Sequence, residues 1–522
     1  MKSKLLVGVL AATITATVTA CAGAPATPDR TQPPTSRTEG SGAPAPGFPM
    51  TPATPGTADG QTSPLPDSDL NVVMVVVDDA ADISCAEMPE FLPEISAQLR
   101  DQGRCFENAT VTSPACCPSR AVLQTGQMGH NSGVTRQIDA PKLQVEDTIQ
   151  YQLRAAGWDT YGTGKYFNGL SPWPFEAGEQ DSGFVSSDFW AGMKYYDYPL
   201  WDDTAGEPRI EPGHINATTR TGMFLRDFIA ANADSDRPFY AYAAFKAPHT
   251  DNSARTVVQR DPLPTEANRN RAVPPFRWRT EADTRDKLPI FQNQLRPRRF
   301  YERLYEARTR TMYDVDDEMG KTFDLLRELG ELENTAIFFV SDNGYHLGEN
   351  NWETKGDPYP ASMDVPMLAW LPSAFGSGVV DDRPVGLIDL APTLYDLLDV
   401  TPNHVLDGHS LLSEERRTGT YFELQNEKSD IALKESGFHP GTVPTWAMYR
   451  SGRSSYLEYY RRDGSVLRSE FYRDPAYEEN LLWPGNRARR PDAATLAWFR
   501  ARLREGRTCA GTVELGSPNP CP

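Results

Sequence analysis

Three things are missing from this sequence of 522 residues, and each closes off a class of function. The first is a basic excess. Lys and Arg number 52 against 71 Asp and Glu, a formal charge of −19. Nucleic-acid binders present a basic face, so no nucleic-acid partner is expected. The same balance weighs against a strongly polyanionic substrate unless the site is locally basic. The second is a long hydrophobic run. The one near the start, Leu5 to Val18, is too short to cross a bilayer as a helix, and no later stretch is long and apolar enough. The third is internal repetition; no segment recurs. What is present, 39% hydrophobic and 24% charged residues, lies in the ordinary globular range. The length allows a large core plus a second unit.

Lys2 and Lys4 ahead of that short run fit a signal-peptide core. Val18-Thr19-Ala20-Cys21 resembles a bacterial lipobox, small residues directly before a cysteine. We therefore expect residues 1–20 to be a lipoprotein signal peptide and Cys21 to carry a lipid; a secretory signal cut elsewhere is the other reading. The mature chain is expected to be exported and lipid-anchored on a bacterial cell membrane, facing outside the cytoplasm. Residues 21–66 are rich in Pro, Thr, Ala, Gly and Ser. They cannot bury enough apolar surface to offset their ordering entropy and are expected to be a disordered tether. Cys85 and Cys105 flank a helical stretch and Cys509 and Cys521 flank the tail, so both pairs are disulfide candidates in an oxidising compartment. Cys117 is left over and expected to be buried.

From Leu70 the texture changes. Asn71-Val72-Val73-Met74-Val75-Val76-Val77 suits a central parallel strand covered on both faces. A helix is expected over 88–101. Further strands are expected at 158–161, 239–245, 336–340 and 366–370. Val315, Met319, Leu326 and Leu329 share one helical face. Strands alternating with helices predict an α/β fold with a mostly parallel central sheet flanked by helices. After about residue 415 the pattern changes to strands at 445–450 and 455–460. A hairpin turn at Arg462-Asp463-Gly464-Ser465 and a helix bearing Leu496, Phe499 and Leu503 follow. This predicts a small C-terminal α+β unit with an antiparallel sheet.

Function in parallel sheets gathers at the carboxyl ends of strands. Asp78 and Asp79 follow the first strand, and Asp342 and Asn343 follow Ile337-Phe338-Phe339-Val340. Alone, either pair reads as turn capping. Side by side they bring together oxygen donors whose charges repel without a cation, and oxygen-only ligands suit Ca2+ or Mg2+ rather than zinc.

Cys116-Cys117-Pro118-Ser119-Arg120, followed by Thr125-Gly126, resembles the signature of the sulfatase family. Gly164-Lys165, Ala247-Pro248-His249, Ser341-Asp342-Asn343-Gly344 with His346 and Gly348, Gly386 to Thr393, and Asp407-Gly408 resemble its other landmarks. Glu470-Phe471-Tyr472, Asp474-Pro475 and Glu479-Asn480-Leu481 resemble its C-terminal part. Gly-Lys-Tyr-Phe-Asn, Asp-Asn-Gly-Tyr-His, and Phe189-Trp190 with Lys194 to Tyr198 look closest to the N-acetylglucosamine 6-sulfatase and arylsulfatase group. The chain departs from the family at Phe167, where many members have histidine, and at Pro360, where glutamate often follows the tyrosine.

The resemblance implies an alkaline phosphatase-like domain over 67–414 and a subdomain and tail over 415–522. It implies that a formylglycine-generating enzyme oxidises Cys116 and that a divalent cation is held by Asp78, Asp79, residue 116, Asp342 and Asn343. Arg120 would bind the hydrated aldehyde, Lys165 and Lys355 the sulfate, and His249 the leaving oxygen or the sulfate. His130 would assist the hydrate's deprotonation. The substrate would be a sulfated carbohydrate or aryl sulfate. A phosphodiesterase or phosphonate monoester hydrolase on the same scaffold, and a non-catalytic lipoprotein binding sulfated glycans, are the competing readings.

Overall fold

The valine-rich run forms strand β1 (Asn71–Val77), with every residue buried. This computed structural model describes residues 68–167, 181–190, 192, 194–202, 207–210, 214–251, 261–292, 295–413, 416–425, 443–513 and 516–522. The expected signal peptide, Cys21 and the tether lie outside the described residues. Seven further strands join β1: β2 (Arg104–Thr110), β3 (Asp159–Gly164), β4 (Ser186–Phe189), β5 (Phe239–Ala244), β6 (Thr335–Ser341), β7 (Met367–Trp370) and β8 (Val379–Gly386). Their order is β8-β2-β7-β6-β1-β5-β3-β4. Only β7 runs antiparallel to its neighbours. The mostly parallel sheet is as expected, although β2, β4 and β8 were not anticipated.

Two helical layers cover the sheet because successive side chains of a strand point to opposite faces. Val72, Met74 and Val76 share a core with α1 (Cys116–Thr125), α2 (Ile149–Ala155) and α5 (Leu390–Leu398). Val73, Val75 and Val77 share one with α3 (Ala217–Asn232) and α4 (Arg298–Leu329). Each buried valine contributes about 1.5–3 kcal/mol.

Two expectations need correction. The helix over 88–101 is broken into Met88–Phe91, Pro93–Ile95 and a wider π turn over Ser96–Arg100. Pro93 has no N–H to donate backwards, and Leu92 before it leaves the helical region (φ −138°, ψ 68°). In α4, Leu329 is exposed at the C-terminal turn, while Phe323 joins the buried stripe.

Strands β9 (Thr420–Leu424), β10 (Trp446–Ser451), β11 (Ser454–Tyr460) and β12 (Val466–Tyr472) form a separate antiparallel sheet in that order. Helix α6 (Ala493–Gly506) packs Leu496, Phe499 and Leu503 against Tyr449, Tyr456 and Phe471. In the β11–β12 turn, Arg461 N–H donates to the Ser465 carbonyl at 2.9 Å and Gly464 has φ +80°, a conformation glycine adopts without steric cost. Cys85–Cys105 and Cys509–Cys521 are disulfides, and Cys117 is buried beside the sheet. Among the described residues no helix is long and apolar enough to cross a membrane.

Candidate active site

Strands β3, β5, β1 and β6 are consecutive and parallel, so their carboxyl ends open on one edge. Val77 pairs with Ser341, which brings Asp78-Asp79 beside Asp342-Asn343. Gly164 pairs with Ala244, which brings Lys165 beside the segment leading to His249. Helix α1 begins at Cys116, facing this edge. The local backbone demands particular residues. Gly164 has φ +94°, and a Cβ there would meet the Ala244 carbonyl oxygen at 2.0 Å. Asp79 adopts φ 72°, which aspartate tolerates better than most residues; its N–H donates to Asp342 Oδ1 at 3.1 Å.

Donor atoms of Asp78, Asp79, Cys116 and Asp342 all lie within 4.8 Å of one another, and all four residues are buried. The Cys116 thiol donates to Asp78 Oδ1 at 3.6 Å. Asn343 Nδ2 donates to Asp79 Oδ1 at 2.7 Å. Cations close the set. Lys165 pairs with Asp78 and Arg120 Nε with Asp342 Oδ2 at 2.9 Å. Lys355 bonds Asp79, Asn343 Oδ1 at 3.2 Å and Cys116 Sγ at 2.9 Å. The Lys355 ammonium is thus a positive charge seated among the donors. A donor set of this kind, mainly carboxylate and amide oxygens, fits a hard divalent cation.

Burial pushes the Asp78 carboxyl up, but Lys165, His249, Lys355 and Arg120 outweigh it and hold it well below the usual carboxylate range. Burial and the neighbouring Asp78 raise Asp342 despite Arg120. Burial also raises the Cys116 thiol, so the unmodified side chain is neutral. His249 Nδ1 donates to the Thr250 carbonyl at 2.8 Å, leaving Nε2 3.6 Å from Asp79 Oδ2. Burial lowers this imidazole to about 4. Arg120 Nη1 donates to the Lys165 carbonyl at 2.7 Å, while its buried Nη2 has no hydrogen-bond partner among the described residues.

The structure therefore gathers Asp78, Asp79, Cys116, Arg120, Lys165, His249, Asp342, Asn343 and Lys355 around one point. His130 is not among them, and its expected part in the chemistry is withdrawn. Its Nδ1 engages Glu423 at 2.8 Å and its Nε2 the Cys509 carbonyl at 3.0 Å, tying the segment after α1 to the C-terminal part. Phe167 packs edge-on against Tyr166, its centroid 4.6 Å away, within the core. Pro360 opens a short helix, Pro360–Met363, and does not draw Lys355 out of the cluster. His346 serves the Lys355 loop: Nε2 engages Asp357 at 2.9 Å and Nδ1 the Glu349 carbonyl at 3.0 Å.

Sequence reasoning missed Arg308. This buried guanidinium donates to the backbone carbonyls of Asp79 and, at 3.1 Å, Pro248, and lies over the Tyr345 ring at 4.1 Å. It binds the two segments that carry Asp79 and His249. A signal was present: Tyr301, Leu304, Met312, Val315 and Met319 form the buried stripe of α4, and Arg308 stands where an apolar residue is due.

The family model described as Sulfatase matches residues 70–400. The N-acetylglucosamine-6-sulfatase of Homo sapiens is 29% identical over 370 residues, covering 66% of this chain and 63% of that protein. The chain spans less than two thirds of the length of the curated relatives it matches. A protein solved in complex with its substrate D-glucosamine-2-N,6-O-disulfate superposes at a TM-score of 0.64 with 20% identity, over 84% of this chain and 97% of that one. A phosphonate monoester hydrolase of Agrobacterium radiobacter superposes at 0.60 with 19% identity, over 83% and 96%. These two likenesses establish the alkaline phosphatase-like fold. Given that fold, the strand-end cluster and a family match over more than half of its length, the chain belongs to the sulfatase family.

Proposed function

We propose that the protein is a sulfuric ester hydrolase acting on a carbohydrate sulfate through a formylglycine derived from Cys116 and a divalent cation, Ca2+ or Mg2+. The carrying observation is the Cys116 thiol 3.6 Å from Asp78 inside a cluster of carboxylates closed by three cations. Asp78, Asp79, Asp342 and Asn343 would hold the cation. When bound, the cation supplies Lewis acidity at a sulfate oxygen, and the oxidised residue supplies a hydroxyl nucleophile that a thiol does not.

The chain's own groups do the rest. Sulfate esters resist nucleophiles because their oxygens carry negative charge, so fixed positive charge lowers the barrier. Arg120 is locked by Asp342 and the Lys165 carbonyl and keeps its Nη2 donors for an anion. Lys165 and Lys355 act as point charges on sulfate oxygens. His249, held through Nδ1 and neutral near pH 7, turns Nε2 toward the site; the negative charge of a bound sulfate would raise the imidazole, and Nε2, once protonated, would hold the sulfate or hand a proton to the leaving oxygen.

We read residues 67–414 as the catalytic unit and 415–522 as a subdomain that props the Lys355 loop, where Trp446 Nε1 donates to the Gly356 carbonyl at 3.2 Å. We also read the protein as exported and anchored by a lipid on Cys21, with a formylglycine-generating enzyme as maturation partner. Aryl sulfates are expected surrogate substrates.

Likeness to a phosphonate monoester hydrolase keeps phosphodiesters in the test. Nitrophenyl sulfate and a nitrophenyl phosphodiester are compared side by side, before and after chelation. The proposal expects faster sulfate hydrolysis, lost with the metal and restored by Ca2+ or Mg2+. Faster phosphodiester turnover would overturn it.

A further inference from the structure

The turn that carries His249 begins just past the end of β5 and runs from Lys246 to Asp251, with the His249 N–H donating to the Lys246 carbonyl at 2.9 Å. Arg308 grips it through the Pro248 carbonyl at 3.1 Å. Tyr195 grips it at two further points. Its hydroxyl donates to the His249 carbonyl at 2.9 Å, and its N–H donates to Asp251 Oδ2 at 3.0 Å. The Tyr195 carbonyl accepts from the Ala217 N–H at 2.9 Å, at the start of α3. One fully buried residue thus ties the His249 turn to α3. Burial raises the Tyr195 phenol well above its ordinary value, so the hydroxyl stays protonated and keeps donating.

Lys246 has no part in the chemistry described above, yet its side chain is fully buried. Its Nζ has no hydrogen-bond partner among the described residues. The amine lies 4.2 Å from the centroid of the Tyr195 ring and 3.9 Å from Asp251 Oδ2. Burial pushes it down to about 7 despite the pull of Asp251. An amine taken out of water without a hydrogen bond costs stability, and a methionine would fill the same length without that cost. What the amine does here is face Tyr195 twice. In its charged form it attracts the face of the ring, and it attracts the carboxylate that holds the Tyr195 N–H.

Resting on the sulfatase reading above, we propose that Tyr195, braced by Lys246 and Asp251, is a positioning residue that aims His249 Nε2 at the leaving oxygen of the ester. As the S–O bond to the alcohol breaks, the leaving oxygen keeps the bonding pair and takes the Nε2 proton, and the imidazole is left neutral. Sulfur gains a bond to the nucleophile at residue 116 in exchange. Proton transfer needs Nε2 within hydrogen-bond reach of that oxygen, about 2.6–3.2 Å, so a small drift of the turn defeats it. The attraction between a charge and the sulfate falls off far more gently with distance. Loosening the brace should therefore hurt an ester in proportion to its need for a proton.

The test measures kcat/KM of the unaltered protein and of Tyr195→Phe on nitrophenyl, phenyl and methylphenyl sulfates and on glucosamine 6-sulfate, whose leaving groups are progressively weaker acids. Tyr195→Phe removes a single hydroxyl. Nitrophenolate leaves without help, so its ester is expected to lose no more than about twofold, with the loss growing to about tenfold or more for the weakest acid still turned over. Lys246→Met is expected to steepen the series in the same direction, and Lys246→Arg, which keeps the charge over the ring, to restore part of it. If Tyr195→Phe fails to fold, the Lys246 pair carries the same comparison. An equal loss on every ester, or no loss on any, would overturn the positioning role. Inactivity of the unaltered protein on all four esters would instead overturn the functional reading beneath it.

Discussion

Two groups of buried charges, one at the strand ends and one under the C-terminal sheet, use the same side-chain types to different effect. Under the sheet, the fully buried Lys287 ammonium bonds the Tyr477 carbonyl and, at 3.2 Å, the Tyr472 hydroxyl, with Glu281 at 3.3 Å and Asp286 at 3.9 Å. Protein groups surround that cation, and it fastens residues 281–287 to β12. At the strand ends, carboxylates that follow β1 and β6 converge around the ammonium of Lys355, a cation on a loop, beside a thiol and an unspent Arg120 Nη2. Buried charge by itself therefore does not mark a site. What sets the strand ends apart is a thiol among the carboxylates together with a guanidinium nitrogen, Arg120 Nη2, that no described group takes up.

The largest expected difference between the two clusters is in turnover. Cys116→Ala should lower kcat/KM by on the order of 10³-fold or more while leaving the unfolding transition near that of the unaltered protein. Lys287→Met should behave in the opposite sense. Removing one partner of a buried pair costs about 3–5 kcal/mol, seen as an earlier urea midpoint, with kcat per folded molecule unchanged. If Lys287→Met abolished turnover in folded protein, the contrast between the clusters would fail.

Most of the catalytic cluster was legible because its residues sit in short stretches with strong local signals. Asp78-Asp79 closes a β-branched run, and Cys116 to Arg120 has fixed internal offsets. The adjacency of β1 and β6 followed from pattern and fold class. Other features were hidden for physical reasons. Strand β2 reads Arg-Cys-Phe-Glu-Asn-Ala-Thr, with two residues exposed in mid-strand, and β8 carries Asp381, Asp382 and Pro384 beside a register shift. Neither shows the apolar run of a central strand. His130 follows the signature and looked catalytic, but its partners Glu423 and Cys509 lie hundreds of residues away, where spacing says nothing.

Arg308 sharpens the comparison from outside the ligand set. It touches only backbone of the Asp79 and His249 segments, so Arg308→Ala should weaken divalent-cation affinity by about 10–100-fold, the usual effect of losing a group that orients ligands. Calorimetric titration of Ca2+ or Mg2+ reads this directly, and Arg308→Lys should recover part of the loss. Unchanged affinity in a folded variant would make Arg308 a packing residue only.

The smallest effect belongs to the seam at His130. Burial lowers its pKa, but the hydrogen bond and charge of Glu423 outweigh this and raise it above the ordinary histidine value. A raised folded pKa means the pair's stabilisation is full below the unfolded value of about 6.5 and is lost as pH climbs through the folded one. His130→Gln should therefore cost about 1 kcal/mol at pH ~6 and little at pH ~9, with kcat of the folded enzyme unchanged. Thermal melts across that range check the sign.

The most direct measurement is mass spectrometry of the tryptic peptide containing residue 116, taken from natively expressed protein that hydrolyses a sulfate ester. The account predicts an aldehyde in place of the thiol at that position, with Cys117 intact beside it. An active preparation whose residue 116 is wholly an unmodified thiol would contradict the nucleophile proposed for this site.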